Sequence, residues 1–197
     1  MHFPEMRISN CVWEIDFNMK VDLQRFADRF NIVYYSPIVF SAATVYFDED
    51  PKISLLLFSN GKVIGAGVKS RNDLQTACKN LAAMLETTVP SEECFTLRNI
   101  VATLKWGKPL DLNKIYGTLK KQSTVIHHFS KRKRFNFLSE LNYTPELFPG
   151  MKVVIGPERA TAIVFRSGKI IITGATTWDD LDDAYDRIRD VIASVVE

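Results

Sequence analysis

The chain is poor in cysteine, has no long apolar run and carries almost no excess charge. Its three cysteines, Cys11, Cys78 and Cys94, include no CxxC pair, so neither a zinc site nor a disulfide framework is predicted, and a reducing compartment is expected. No run approaches about 18 consecutive apolar residues, so no membrane-spanning helix is predicted. The N-terminal segment MHFPEMRISN lacks the apolar centre of a secretory signal.

Catalytic motifs are missing as well. The sequence has no nucleotide-binding glycine-rich loop, no Cys-His or Ser-His signature and no paired-carboxylate motif. His127 and His128 are adjacent, without cysteine or acidic ligands nearby, so no metal site is predicted. We therefore expect a protein that is not an enzyme and needs no cofactor. The net charge of +2 is compatible with nucleic-acid binding but does not argue for it, because phosphate binding needs clustered lysine and arginine.

The chain does contain an internal repeat. Two segments match each other, PKISLLLFSNGKVIGAG from position 51 and PERATAIVFRSGKIIITG from position 157. Phe58 and Gly61 in the first segment correspond to Phe165 and Gly168 in the second, 107 positions later. Apolar residues match in step with them, which indicates a duplicated structural unit.

Upstream of these segments the offset falls to 89 positions, where Asn10 and Val12 match Asn99 and Val101. The difference between the offsets of 107 and 89 places an insertion of about 18 residues near 122–141. We therefore predict a single domain over residues 1–197, made of a repeat at 6–88 and a repeat at 95–197, with the insertion in the second.

Each repeat has the pattern of a strand, a short amphipathic helix, several strands and a long amphipathic helix. The turns SNGK and RSGK each place a glycine where a hairpin needs positive φ. Ser70 with Asp73, and Thr177 with Asp180, predict helix N-caps followed by an acidic third position. An antiparallel sheet can bury one face under helices and leave the other free. The fold class predicted is α+β, with pseudo-twofold symmetry.

Two motifs of the second repeat, YTPELFPG at 143–150 and IVFRSGKIIITG at 163–174, are similar to those of TATA-box-binding proteins. The first repeat carries NCV, IVFSA and LLFSNGK in the same register, so the resemblance covers nearly the whole chain. It implies a saddle of two repeats, each a curved antiparallel sheet with two helices on the convex face. In that family the concave sheet binds DNA and the convex side binds other factors.

The resemblance also implies site residues. Two phenylalanines per repeat would wedge between base steps of the minor groove: Phe40, Phe58, Phe148 and Phe165. Asn10 and Asn99 would contact base edges. The other implied DNA-binding positions are Val12, Val101, Leu56, Ile64, Ile163, Ile171, Thr173, Lys62, Lys169 and Lys69. Glu146 and Leu147 match positions that receive the next initiation factor. Taken singly, the apolar residues are also explained by core packing and the asparagines by strand ends.

Several positions depart from the family pattern. Tyr46 and Val154 stand where the family usually has arginine, and Thr176 stands at the repeat equivalent of Lys69. Glu14 shares a strand face with Asn10 and would put a carboxylate on the DNA surface. These changes predict weakened DNA affinity. The last helix is acidic outside, which fits either a solvated face or a changed partner set. The basic run at 131–134 fits a nuclear localisation signal, a phosphate clamp or a solvated loop.

The leading hypothesis is a general transcription-initiation factor that binds and kinks AT-rich promoter DNA and recruits initiation factors and the polymerase machinery. The alternative is a related binding module with weakened or lost DNA affinity, which recruits or sequesters transcription factors. An accessory domain of a nucleic-acid enzyme is a third reading, but the fold uses the whole chain. The expected location is the nucleus, or the infected-cell cytoplasm for a protein of a cytoplasmic DNA virus.

Overall fold

A computed structural model describes residues 5–47, 52–68, 70–129, 138–155 and 160–196. The chain forms two compact units, one spanning Asn10–Asn99 and one built mainly from Ile100–Glu197. In each unit an antiparallel sheet and two α-helices follow one another in the same order along the chain. The predicted α+β class therefore describes both halves.

Within its described residues, the first unit contains five strands and two α-helices. In chain order they are β1 (Arg7–Asp16), α1 (Leu23–Arg29), β2 (Val33–Tyr34), β3 (Ala42–Phe47), β4 (Ile53–Phe58), β5 (Lys62–Val68) and α2 (Arg71–Met84). The strands lie in the order β2-β3-β4-β5-β1, and each neighbouring pair is antiparallel. A short 3-10 helix, Glu92–Cys94, follows.

The second unit repeats this succession. Its elements are β6 (Phe95–Lys105), of which 95–99 belong to the first unit, α3 (Leu112–Phe129), β7 (Leu138–Asn142), β8 (Gly150–Ile155), β9 (Ala160–Phe165), β10 (Lys169–Ala175) and α4 (Trp178–Val196). The strands lie in the order β6-β10-β9-β8-β7, again antiparallel throughout. Each strand and α-helix of the first unit thus has its counterpart at the equivalent place in the second.

The core of each unit lies between its sheet and its helices. In the first unit Leu55 and Leu57 of β4 have no exposed surface and belong to one apolar cluster with Leu74 and Leu81 of α2. Burying a leucine side chain contributes roughly 1.5–3 kcal/mol, so the alternating strand pattern fixes which sheet face the helices cover. In the second unit α4 packs on β9 and β10.

The predicted N-cap of α2 is confirmed. The Ser70 hydroxyl accepts the backbone N–H of Asp73 at 3.2 Å, and the Asp73 carboxylate accepts the backbone N–H of Ser70 at 3.1 Å. At the start of α4 the Thr177 hydroxyl accepts the backbone N–H of Asp180 at 3.1 Å. These bonds satisfy N–H groups that have no partner within the helix.

We expect Ser70→Ala to lower the free energy of unfolding by about 1 kcal/mol, because it removes one half of the reciprocal cap. Urea denaturation followed by circular dichroism measures the change. Ser91→Ala is the matched control, since Ser91 also precedes a helix but makes no side-chain capping bond. Equal losses in the two variants would contradict the prediction.

The helix after β6 differs from the short one that periodicity predicts. Leu112, Ile115 and Leu119 are buried as expected, but α3 has 18 residues against 7 in α1 and continues into the predicted insertion. No glycine or proline follows Gly117 in this helix to end it. The basic run at 131–134 lies outside the described residues. Among the described helices, none is long and apolar enough to cross a membrane.

Candidate nucleic-acid interface

The sheet of the first unit has one face that its helices leave uncovered, which we call the open face. Val12, Leu56 and Ile64 point to it and stay partly exposed, whereas their strand neighbours Leu55 and Val63 are fully buried. The helices pack on the opposite face. This is shown at Gly65, where an added Cβ would lie 3.1 Å from the Leu74 side chain of α2. The predicted apolar positions of this repeat therefore share the open face.

The second unit has an open face of the same composition. Val101, Ile163, Ile171 and Thr173 are partly exposed there, and each alternates with residues that are fully or almost fully buried. Their buried strand neighbours are Ile100, Ala102, Ala162, Val164, Ile170 and Ile172. An apolar sheet face without helix cover in both repeats is the feature expected of a partner-binding surface.

Each unit contains the same kind of cross-strand row on its open face, and the rows can be compared residue by residue. In the first unit one cross-strand row over β3, β4, β5 and β1 contains Thr44, Leu56, Ile64 and Glu14. In the second unit the equivalent row over β8, β9, β10 and β6 contains Lys152, Ile163, Ile171 and Thr103. The centres of the rows are apolar in both repeats, and the ends carry different charges.

A pair of phenylalanine rings lies at one end of the first open face. Phe58 ends β4, and Phe40 lies in the loop before β3, where its backbone N–H donates to the Ser36 carbonyl at 2.9 Å. The ring centroids are 6.1 Å apart with an interplanar angle of 67°. Phe40 remains 47% exposed, so this ring pair projects into solvent rather than into the core.

The second unit repeats this ring pair. Phe165 ends β9, and the Phe148 backbone N–H donates to the Thr144 carbonyl at 3.0 Å. The ring centroids are 6.0 Å apart at an interplanar angle of 66°, and Phe148 is 48% exposed. Edge-to-face contact holds each ring against its partner and limits its freedom. All four predicted wedge residues thus form two matched, solvent-facing pairs.

Asn10 is oriented by a backbone contact. Its side-chain oxygen accepts the N–H of Gly67 at 3.0 Å, so the amide NH2 group is its remaining donor. Gly67 has a φ of +81°, and its repeat equivalent Gly174 has a φ of +93°. Asn99 lies half-buried at the corresponding place in β6. Minor-groove base edges present acceptors at adenine N3 and thymine O2, which an amide donor fits.

Glu14 lies at the end of the first row, between two cations. One carboxylate oxygen accepts from the Lys62 ammonium at 3.0 Å, and the other accepts from Arg98 Nε at 2.9 Å and Nη2 at 2.8 Å. The hydrogen bond from Lys62, followed by that from Arg98, holds the pKa of Glu14 below its usual value, although partial burial opposes the shift. The carboxylate is therefore ionised at neutral pH, and its ion pairs are lost only as pH falls through that lowered pKa.

The second unit has no such acidic group at this place. Thr103 stands opposite Ile171, where Glu14 stands opposite Ile64. Lys169 pairs across strands with Lys105, whereas its equivalent Lys62 pairs with Asp16. Among the residues that the structure describes, no carboxylate contacts Lys169.

The remaining predicted positions lie as follows. Tyr46 is 53% exposed on β3, whereas Val154 on β8 is 6% exposed. Thr176 is exposed after β10, and Lys69 lies outside the described residues. Leu147 is 86% exposed at the tip of the loop before β8, beside the exposed Glu146, so both are accessible to a protein partner.

Sequence reasoning missed Arg98. Its repeat equivalent is Ser9, so comparison of the repeats gives no match at this position. Arg98 is 84 positions from Glu14, and only the folded chain brings their charges together. The carboxylate of Glu14, which has no acidic counterpart at Thr103, was the available signal, because a partly buried carboxylate needs a cationic partner nearby. No group of three potential metal ligands occurs within the described part of the chain.

Comparison with known proteins gives the family. A family model described as Transcription factor TFIID (or TATA-binding protein, TBP) matches residues 5–88 and 94–195. This chain belongs to the TATA-binding protein family. The TATA-box-binding proteins of Pyrobaculum neutrophilum and Archaeoglobus fulgidus are each 28% identical to it, over 98% and 97% of this chain and 92% and 96% of their own lengths. That of Spodoptera frugiperda is 27% identical over 95% of this chain and 56% of its own length.

A solved structure of the TBP family has the same fold. The protein titled Methanococcus jannaschii TBP superposes with a TM-score of 0.75 at 26% sequence identity, covering 98% of this chain and all of that one. The resemblance drawn from the two repeat motifs and the predicted α+β fold class are therefore confirmed. At this level of identity the chain is a divergent member of the TBP family.

Proposed function

We propose that this chain is a transcription-initiation factor that binds the minor groove of TATA-like promoter DNA and kinks it with its two phenylalanine pairs. The main support for this proposal is that both units have an equivalent pair of phenylalanine rings at the end of an apolar open face. The ring centroids are 6.1 Å apart in the first pair and 6.0 Å apart in the second. Rigid rings of this kind can enter between base steps, where unstacking costs roughly a few kcal/mol per step. Apolar rows beside the rings then cover the opened groove.

Promoter recognition in this proposal comes from groove width and deformability more than from base identity, because the minor groove has a degenerate acceptor pattern. Asn10 supplies an amide donor whose orientation is set by Gly67, and Asn99 holds the equivalent place. We further propose that the exposed loop at Glu146 and Leu147 binds an initiation factor. The site of action is wherever the genome encoding this chain is transcribed, and no catalytic activity is expected.

The direct test is a combined mobility-shift and bend assay on a TATA-containing duplex and a GC-rich duplex of equal length. The expected result is a specific, strongly bent complex on the TATA duplex, because a narrow AT-rich groove with flexible TA steps is cheaper to deform. Measurement at two salt concentrations separates phosphate attraction from groove insertion. Equal binding to both duplexes without bending would overturn the proposal.

A second candidate function is a partner-binding module with little DNA affinity. The ion pairs of Glu14 with Lys62 and Arg98 favour it, since they occupy two cations of the first unit. The exposed Leu147 supplies a contact for a protein partner. Affinity capture from a transcription extract, with Leu147→Ala as control, tests this role. Recovery of no initiation factor or polymerase subunit by the unmodified chain would exclude it.

A further inference from the structure

Both oxygens of the Glu14 carboxylate form ion pairs with cations of the same chain. Both oxygens are engaged, one by Lys62 and one by the guanidinium of Arg98, at 2.8–3.0 Å. The Glu14 side chain is only 20% exposed, whereas those of Lys62 and Arg98 are 47% and 53% exposed. The acid therefore lies beneath two solvent-facing cations, in an arrangement that a phosphate could also satisfy from outside.

Two members of this cluster, Glu14 and Lys62, lie on the open face. Glu14 stands opposite Ile64 and in one row with Leu56, the apolar positions proposed to cover the DNA groove. DNA that lies on this row brings its phosphates near Lys62 and Arg98. The cations must then either stay with Glu14 or leave it unpaired beside an anionic ligand, and both choices weaken binding.

The second unit shows that the fold does not require this acid. Thr103 occupies the equivalent strand position in a row with the same apolar centre, and Lys169 and Lys105 face each other across β10 and β6. The equivalents of those lysines in the first unit are Lys62 and Asp16. Lys169 therefore faces a lysine where Lys62 faces an aspartate, and within the described part of the chain Lys62 is ion-paired with Glu14 whereas Lys169 contacts no carboxylate.

We propose, building on the DNA-binding function above, that Lys62 and Arg98 form a site for DNA-backbone phosphates which Glu14 occupies in the DNA-free protein. Glu14 is thus an internal competitor of DNA. It lowers the affinity of the first unit for DNA and reduces the number of counterions released on binding. The second unit, which has Thr103 in place of Glu14, supplies most of the salt-dependent part of the binding free energy.

The decisive variant is Glu14→Thr, which installs the residue that the second unit has at this place. Thr suits a strand, so the fold is expected to be retained. Freeing two cations for phosphates should steepen the slope of log K against log salt by up to about 1.8, from about 0.9 per phosphate neutralised. At low salt we expect affinity for a TATA duplex to rise at least about tenfold, measured by fluorescence anisotropy over a salt series.

Two matched variants isolate the mechanism. Thr103→Glu places the same acid in the second unit, beside Lys169, and should lower affinity and flatten the salt slope. Arg98→Ala should change the slope by about 0.9 in the Glu14→Thr background and much less in the unmodified chain, because only the freed guanidinium reaches a phosphate. Glu14→Gln, which keeps the side-chain length, should resemble Glu14→Thr.

The outcomes separate this inference from the proposed function. If Glu14→Thr leaves affinity and salt slope unchanged while the unmodified chain bends TATA DNA, the inference is overturned and the proposed function stands. A gain in affinity and slope without bending supports the phosphate site and overturns the wedge mechanism. If neither protein binds DNA at any salt concentration, both fail.

Discussion

Replacing Phe148 and Phe165 together with alanine is expected to abolish the DNA kink made by the second unit and to weaken binding at least tenfold, which is about 1.4 kcal/mol. The two rings contact each other edge to face, 6.0 Å apart, so removing one alone leaves the other less constrained. Without the ring pair nothing stabilises the unstacked base step, and the duplex regains its stacking energy by straightening.

Fluorescence energy transfer between the ends of a labelled TATA duplex measures the bend. Trp178→Ala is the control, because Trp178 is 50% exposed on α4, away from the open face, and its loss removes a comparable aromatic surface. Phe40→Ala with Phe58→Ala tests the first unit in the same way. Retention of the full bend by the Phe148 and Phe165 double variant would show that these rings are not the wedge.

Replacing Gly168 with alanine is expected to destabilise the fold by more than about 2 kcal/mol. Gly168 forms the turn between β9 and β10 at a φ of +82°, and a Cβ there would lie 2.4 Å from the backbone carbonyl oxygen of Lys108. Backbone cannot move aside as a flexible side chain can. Gly61 has the same environment in the first unit, 2.3 Å from the Met19 carbonyl oxygen, so Gly61→Ala should behave alike.

Two other glycines supply graded controls for this effect. Gly107 has a φ of +86° but no atom within 4 Å of an added Cβ, so Gly107→Ala should cost only the conformational strain, about 1–2 kcal/mol. Gly117 lies inside α3 with open space around it, and Gly117→Ala should stabilise the protein by about 0.5–1 kcal/mol. Thermal and urea unfolding would rank the three. The opposite order for Gly107 and Gly168 would refute the clash.

Short-range patterns account for most of what could be predicted of the fold. The caps at Ser70 and Thr177, the glycine turns and the alternation along β4 and β9 are set within a few residues, so their outcome follows from local chemistry. The length of α3 did not follow, because the sequence past Leu119 contains no stop signal, and repeat symmetry argued for a short helix. Helix ends without a cap are poorly fixed by sequence.

Part of the candidate site could also be predicted from the sequence, and part could not. The repeat indicated which phenylalanines are equivalent, and the pairing of Phe40 with Phe58 follows from a loop returning beside its neighbouring strand. The orientation of the Asn10 amide required Gly67, which is 57 positions away. Contacts over such distances depend on strand register, which a single sequence specifies only through the buried face.

The sequence by itself determined the duplication, the α+β class and the resemblance to one family, because repeated motifs and the alternation of apolar and polar residues can be recognised without a structure. Tertiary structure alone decided that the carboxylate of Glu14 lies between Lys62 and Arg98. Sequence reasoning could only count Glu14 as an added anion, whereas the fold makes it the partner of two cations 48 and 84 positions away. The Coulomb energy of an ion pair depends on the distance between its charges, and only folding brings these three residues close together.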